Sequence, residues 1–258
     1  MARHLINKKN SPNLYGFHTV REAWLNEERI VQTLYLTPQS VRGFEETLSE
    51  SQKRGLKRPK PTIVEKQNLE RLLPKGAVHQ GTALTCAPLE EIDLQDFIIK
   101  SHSRERFCLA MLDQVTDPHN VGAIIRSACA FGIDGIIMQK KHAPTLDGVL
   151  AKSACGGIEH VPVAYVTNLN RAIEELRESL FLVCGLDSET DQFLSNIPAN
   201  NKIMMILGAE GKGMRHSLRE KCDLMVKLPT IGPIASLNVS NAAAIAFYAL
   251  SMHGDAFV

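Results

Sequence analysis

The sequence predicts an α/β protein, a doubly wound parallel sheet preceded by a smaller α/β unit. Three observations carry that expectation. From about residue 106 onward, near-continuous apolar strands alternate with helical segments, the pattern of a parallel sheet covered on both faces. Hydrophobic residues make up 44% of the 258 and charged residues 22%, as in ordinary globular proteins. The longest apolar run, Ala242 to Leu250, falls short of the roughly 20 residues that span a bilayer.

Residues 1–13 read as a flexible tail; "MARHLINKKN" is basic but has no apolar core of a signal peptide. Residues 14–89 read as a small α/β unit. "LYGFHTVREAWLN" is a Gly-led turn into a short helix with Val20, Ala23 and Trp24 inside. "IVQTLYLT" is a β-branched strand ended by Pro38, and residues 42–55 are helical. "PTIVEK" is extended, "QNLERLL" a helix closed by Pro74, and "GTALTCAPL" a last strand. Residues 90–105 are a charged, partly helical linker. In the 106–258 domain, strands are expected in "FCLAMLDQV", "DGIIMQ", "VPVAYV", "LFLVCGLD", "KIMMILGAE" and "DLMVKLP". Helices fit at 120–131, 146–155, 168–179, 215–221 and 238–252.

The formal charge of +1 conceals an asymmetry. Residues 1–80 hold 14 Lys and Arg against 8 Asp and Glu, whereas residues 81–258 hold 15 against 20. The basic part peaks at "KRGLKRPK", with Lys53, Arg54, Lys57 and Arg58. Such a run is either a solvated face or a phosphate-contacting surface, and charge alone does not decide. The six cysteines are widely spaced with no C-x-x-C pair, and most have apolar neighbours. That usage points to reduced core thiols in a cytoplasmic protein rather than a disulfide or metal framework.

Ligands of open α/β sheets bind outside the carboxyl ends of the strands, and three strand ends here carry unusual residues. After the first, Asn120 is a candidate N-cap and Ile124, Ile125, Ala128 and Phe131 form an apolar stripe. Arg126 falls off that stripe, one turn after Gly122, as either a solvated arginine or a site residue. After "KIMMIL", Gly208, Glu210, Gly211 and Gly213 make a tight loop that can cradle a nucleotide or serve as a plain turn. It matches neither a Rossmann fingerprint nor a Walker loop. After "DLMVKLP", Pro229, Gly232 and Pro233 force an irregular path into "SLNVSN". There Ser236, Asn238, Ser240 and Asn241 are more polar groups than capping requires.

Taken together, these three motifs resemble the SpoU/TrmH family of SPOUT RNA methyltransferases over residues 106–252, and residues 14–89 resemble the L30e-like substrate-binding domain found in many members. One departure is Thr230, where many relatives have methionine. The resemblance implies a SPOUT-type sheet with a C-terminal trefoil knot, a homodimer packed through the knotted regions, and S-adenosylmethionine as cofactor. It implies cofactor contacts at Gly208, Leu228 and Leu237, with Leu207 and Ile231 beside them, and reaction residues Asn120, Arg126, Glu210, Ser236 and Asn238. The substrate it implies is RNA, most similar to the case of a guanosine ribose in 23S rRNA. A tRNA ribose 2′-O-methyltransferase and a non-catalytic RNA-binding protein of the same fold are the alternatives.

Overall fold

The apolar runs after residue 106 become six parallel strands. The protein is described by a computed structural model over residues 11–198, 202–233 and 236–252. The expected tail lies outside these residues except for its last three positions. The strands of the larger sheet are β5 (Phe107–Asp113), β6 (Gly135–Gln139), β7 (Val163–Val166), β8 (Leu182–Leu186), β9 (Lys202–Gly208) and β10 (Leu224–Val226), in the spatial order β10-β8-β9-β5-β6-β7. Every pairing among them is parallel, as expected. β5 is buried at all seven positions, which explains why its sequence is apolar throughout rather than alternating.

Helices α5 (Pro118–Ala130), α7 (Leu169–Glu178), α8 (His216–Arg219) and α9 (Val239–Met252) belong to this unit. α5 begins two residues earlier than Asn120. Pro118 occupies its first turn, where no backbone N–H is required, and the Asp117 carboxylate accepts from His119 N at 3.1 Å. Asn120 is therefore not the cap, and its amide is left for another partner. α9 packs against α5.

The segment expected as a linker contains α4 (Leu94–His102), a core helix of this unit. Leu94, Phe97 and Ile98 are buried with Phe107, Leu109 and Met111 of β5. Their i, i+3, i+4 spacing is the signal that the charged flanks obscure. Gly135 lies under the Phe97 ring, where an added Cβ would come within 2.2 Å of it.

The other unit comprises residues up to Glu90 together with Thr145–Glu159. Its sheet has the order β1-β4-β2-β3, formed by Leu14–Tyr15, Val31–Leu36, Thr62–Ile63 and Thr82–Cys86 in chain order. Helix α1 (Phe17–Leu25) buries Val20, Ala23 and Trp24, as the pattern predicts. α2 (Pro38–Lys53) starts at the proline expected only to end the preceding strand, because Pro38 again sits in a first turn. α3 is Lys66–Leu72.

The unexpected component is the stretch 145–159, which carries α6 (Gly148–Ala154) and packs on α1. Arg29 and Glu159 pair there at 2.7 Å with side chains 2% and 0% exposed. Asn26 also donates to Glu159 at 2.8 Å, and Arg29 Nη1 to the Ala87 carbonyl at 2.8 Å. The pair is fully enclosed and hydrogen-bonded on both sides.

Candidate active site

Four strands of the parallel sheet deliver their carboxyl ends to one place. In the β5/β9 register Asp113 lies opposite Gly208. The chain after β9 folds straight back as a hairpin, with Gly213 N donating to Ala209 O at 2.9 Å. The hairpin touches the strand end so closely that a Cβ on Gly208 would lie 2.4 Å from Gly213 C and from Met214 N. Gly211 and Gly213 take φ of +75° and +66°, left-handed conformations that suit glycine.

Asp113 holds the far end of this hairpin. It is 0% exposed and accepts from Arg215 N at 2.8 Å and Arg215 Nε at 2.7 Å. Arg215 Nη2 continues to Gln139 Oε1 at 3.2 Å. Asp113 and Arg215 did not emerge as site residues from the sequence. The available signal is a carboxylate closing an otherwise apolar buried strand, because such a charge needs a partner.

The hairpin presents Glu210 to the two other motifs. Glu210 Oε1 accepts from Asn120 Nδ2 at 3.0 Å, from Asn238 Nδ2, and from Val239 N at 3.4 Å. Asn238 Nδ2 also donates to Asn120 Oδ1 at 3.0 Å. Asn238 Oδ1 in turn accepts from Ser240 N at 2.8 Å at the start of α9. One side chain thus caps a helix and joins the start of α5 to two segments that lie 90 and 118 residues from Asn120 in sequence.

Beside this trio is a pocket of about 320 Å³. Leu207, Gly208, Leu228 and Leu237, four of the five expected cofactor contacts, line it together with Glu210 and Ser236. Its other wall is the turn Leu186–Glu189. Ile231 departs from expectation: it is fully exposed and does not line the pocket, because the Pro229–Pro233 turn directs it into solvent. Arg126 lies on the exposed side of α5, one and a half turns beyond Asn120, and is also outside the pocket wall.

The basic run divides. Lys53, Arg54 and Lys57 are exposed. Arg58 turns inward: it donates to the carbonyls of Trp24 at 2.7 Å, Asn26 at 2.5 Å and Arg29 at 3.1 Å, with its guanidinium 5.9 Å from the Trp24 ring centre. It closes the end of α1, and those carbonyls occupy the donors a phosphate would need. Burial pushes the thiols of Cys184 and Cys222 up to about 12, so they stay protonated and are poor nucleophiles.

A pocket at the carboxyl ends of parallel strands, lined by leucines, glycine-loop backbone and charged side chains, is where open α/β proteins bind their ligands. The comparisons specify which kind. Residues 108–248 match the model of the SpoU rRNA Methylase family, and residues 14–92 match that of the RNA 2′-O ribose methyltransferase substrate-binding domain. The chain belongs to the SpoU family and is an RNA methyltransferase. A Staphylococcus aureus protein assigned to the TrmH family of tRNA/rRNA methyltransferases is 35% identical over 91% of this chain and 93% of its own length. The fold is shared with the SpoU methyltransferase AviRb of Streptomyces viridochromogenes, solved with AdoMet (TM-score 0.74, 23% identity, 93% of this chain and 88% of that one). It is shared equally with an AdoMet-bound rRNA methyltransferase of Sinorhizobium meliloti (TM-score 0.74, 21% identity, 95% and 88%). The family uses S-adenosylmethionine. The pocket's donor set suits that group, with leucines for a flat purine, glycine-rich backbone N–H groups for polar edges, and carboxylates for hydroxyls and ammonium.

Proposed function

We propose that this protein methylates the 2′-oxygen of a ribose in RNA, with a guanosine of 23S rRNA as the target. The observation that carries this reading is the Asn120–Glu210–Asn238 trio, assembled from three segments distant in sequence, with Glu210 lining the pocket. S-adenosylmethionine, when bound, supplies an electrophilic methyl group. Leu207, Gly208, Leu228 and Leu237 would hold it, and the trio would fix the rim against which the target nucleotide rests. A ribose hydroxyl is a weak nucleophile, so the protein must align it and let its proton leave.

Arg126 is assigned the phosphate beside the target ribose. Its guanidinium brings positive charge and a fork of donors that stabilise the oxygen as the proton departs. Ser236 orients the hydroxyl from the pocket wall. Arg126→Ala is expected to lower methyl transfer at least ~100-fold while S-adenosylhomocysteine binding is retained. Transfer at the wild-type rate would remove Arg126 from the mechanism.

The match to a substrate-binding domain supports RNA contact through residues 14–89, and the match to the SpoU rRNA Methylase model supports, within a family whose relatives are named tRNA/rRNA methyltransferases, the choice of rRNA. Exposed Lys53, Arg54 and Lys57 are the proposed phosphate contacts. Neutralising all three should reduce the slope of log affinity for RNA against log salt by about 2 to 3, and an unchanged slope would make the run a solvated face.

A homodimer is supported by Ile245, Tyr248 and Met252, exposed at i, i+3 and i+7 on α9. A trefoil knot formed by the segment from β10 into α9 is part of the same proposal, as is a cytoplasmic location for a protein with protonated core thiols.

A further inference from the structure

We infer that Arg219 is a positioning residue for S-adenosylmethionine, an inference that rests on reading the Gly208 pocket as the cofactor site. The pocket has two walls. One is the Gly208–Met214 hairpin, fixed at its end by the buried Asp113 through Arg215. The other is the turn Leu186–Glu189 after β8.

Arg219, in α8 four residues beyond Arg215, reaches from the first wall to the second. Its Nη1 pairs with Asp187 Oδ2, and its Nη2 donates to the Glu189 carbonyl at 2.8 Å. The turn it grips is otherwise bonded to itself and to β10. Asp187 Oδ1 accepts from Glu189 N at 2.9 Å, and Asp187 N donates to Val226 O at 2.9 Å. Thr190 Oγ1 donates to Met225 O at 3.0 Å. These bonds attach the turn to β10 and the Leu186–Leu207 pairing holds its start beside β9, whereas the Arg219 fork ties the rest of the turn to α8, the helix that follows the glycine hairpin.

The side chains of Arg219 and Asp187 are 35% and 15% exposed. The pair thus lies where bound cofactor would deepen its burial and strengthen it. Arg219 lines the pocket, and its hydrogen bonds go to Asp187 and Glu189, so its influence is assigned to the cofactor pocket and not to the reacting oxygen.

The test is calorimetric titration of the full-length protein with S-adenosylhomocysteine, together with steady-state kinetics in S-adenosylmethionine. Arg219→Ala is expected to weaken S-adenosylhomocysteine binding about tenfold and to raise KM for the cofactor similarly, with kcat at saturation within about twofold. Arg219→Lys restores the pair with Asp187 but not the second bond, and should recover part of the affinity. Asp187→Asn, which keeps the turn's acceptor and removes the charge, should move affinity in the same direction and carries the test if Arg219→Ala does not fold.

Unchanged affinity in folded Arg219→Ala, or a fall in kcat without a change in affinity, would overturn the inference. Gly208→Ala separates the two levels. If it weakens binding and Arg219→Ala does not, only the role of Arg219 fails. If neither weakens binding, the pocket is not the cofactor site and both readings fail.

Discussion

Replacing Glu159 with alanine is expected to destabilise the unit that contains it by about 3–5 kcal/mol, the cost of leaving a buried charge without its partner. Arg29 is 3% exposed and its guanidinium meets Glu159 through both Nε and Nη2, so water cannot take over the lost contact. Asn26 Nδ2 loses its acceptor at the same time. A loss of this size is a large part of the ~5–15 kcal/mol that holds a typical domain together. It should appear as a fall in midpoint of about 12–20 °C or more in thermal unfolding. The double replacement Arg29→Met, Glu159→Leu removes both charges and is expected to recover most of the loss, since paired replacement by apolar groups is often neutral. A single variant within about 1 kcal/mol of wild type would mean the pair is solvated, and that residues 145–159 are not held in the first unit as described.

Gly208→Ala is expected to lower kcat/KM for methyl transfer about 100-fold. The added methyl would sit 2.4 Å from the backbone of Gly213 and Met214, and backbone cannot rotate aside as a side chain can. The hairpin must lift from the strand end and take Glu210 with it, which separates the carboxylate from Asn120 and Asn238. Gly211→Ala is the informative contrast. Its Cβ would meet open space, so only the left-handed φ of +75° opposes it, at about 1 kcal/mol. Equal losses in the two variants would show that loop flexibility, and not the contact at Gly208, controls the site.

Much of this architecture was legible in the sequence because it depends on local pattern. A continuous apolar run such as "FCLAML", short and set among alternating helical segments, fits a strand covered on both faces. The glycines between β9 and α8 mark the close approach at Gly208 and the left-handed φ at Gly211 and Gly213. The excess of Ser and Asn at the start of α9 was legible too: Asn238 both caps the helix and joins the trio, so its polarity answers to two demands.

What local pattern could not show are contacts between distant residues. Asp113 and Arg215 are 102 apart, and neither has a neighbour that announces the other. The recruitment of residues 145–159 depends on Glu159 meeting Arg29, 130 positions away. Arg58 looked like part of a basic surface because its charge was visible and the three carbonyls it binds were not. α4 was read as a linker because the charged flanks outweighed three apolar residues at helical spacing, although those residues are core.

The most direct measurement is incubation of the purified protein with S-adenosylmethionine labelled in its methyl group and total RNA from a strain lacking the protein, followed by digestion and mapping of the label. Label is expected on the 2′-oxygen of a guanosine ribose in 23S rRNA, and is expected to be lost when Arg126 is replaced by alanine. Label on a tRNA ribose would reassign the substrate and leave the site intact. Label on a base, or no transfer to RNA despite cofactor binding, would contradict the assignment of ribose 2′-O-methylation.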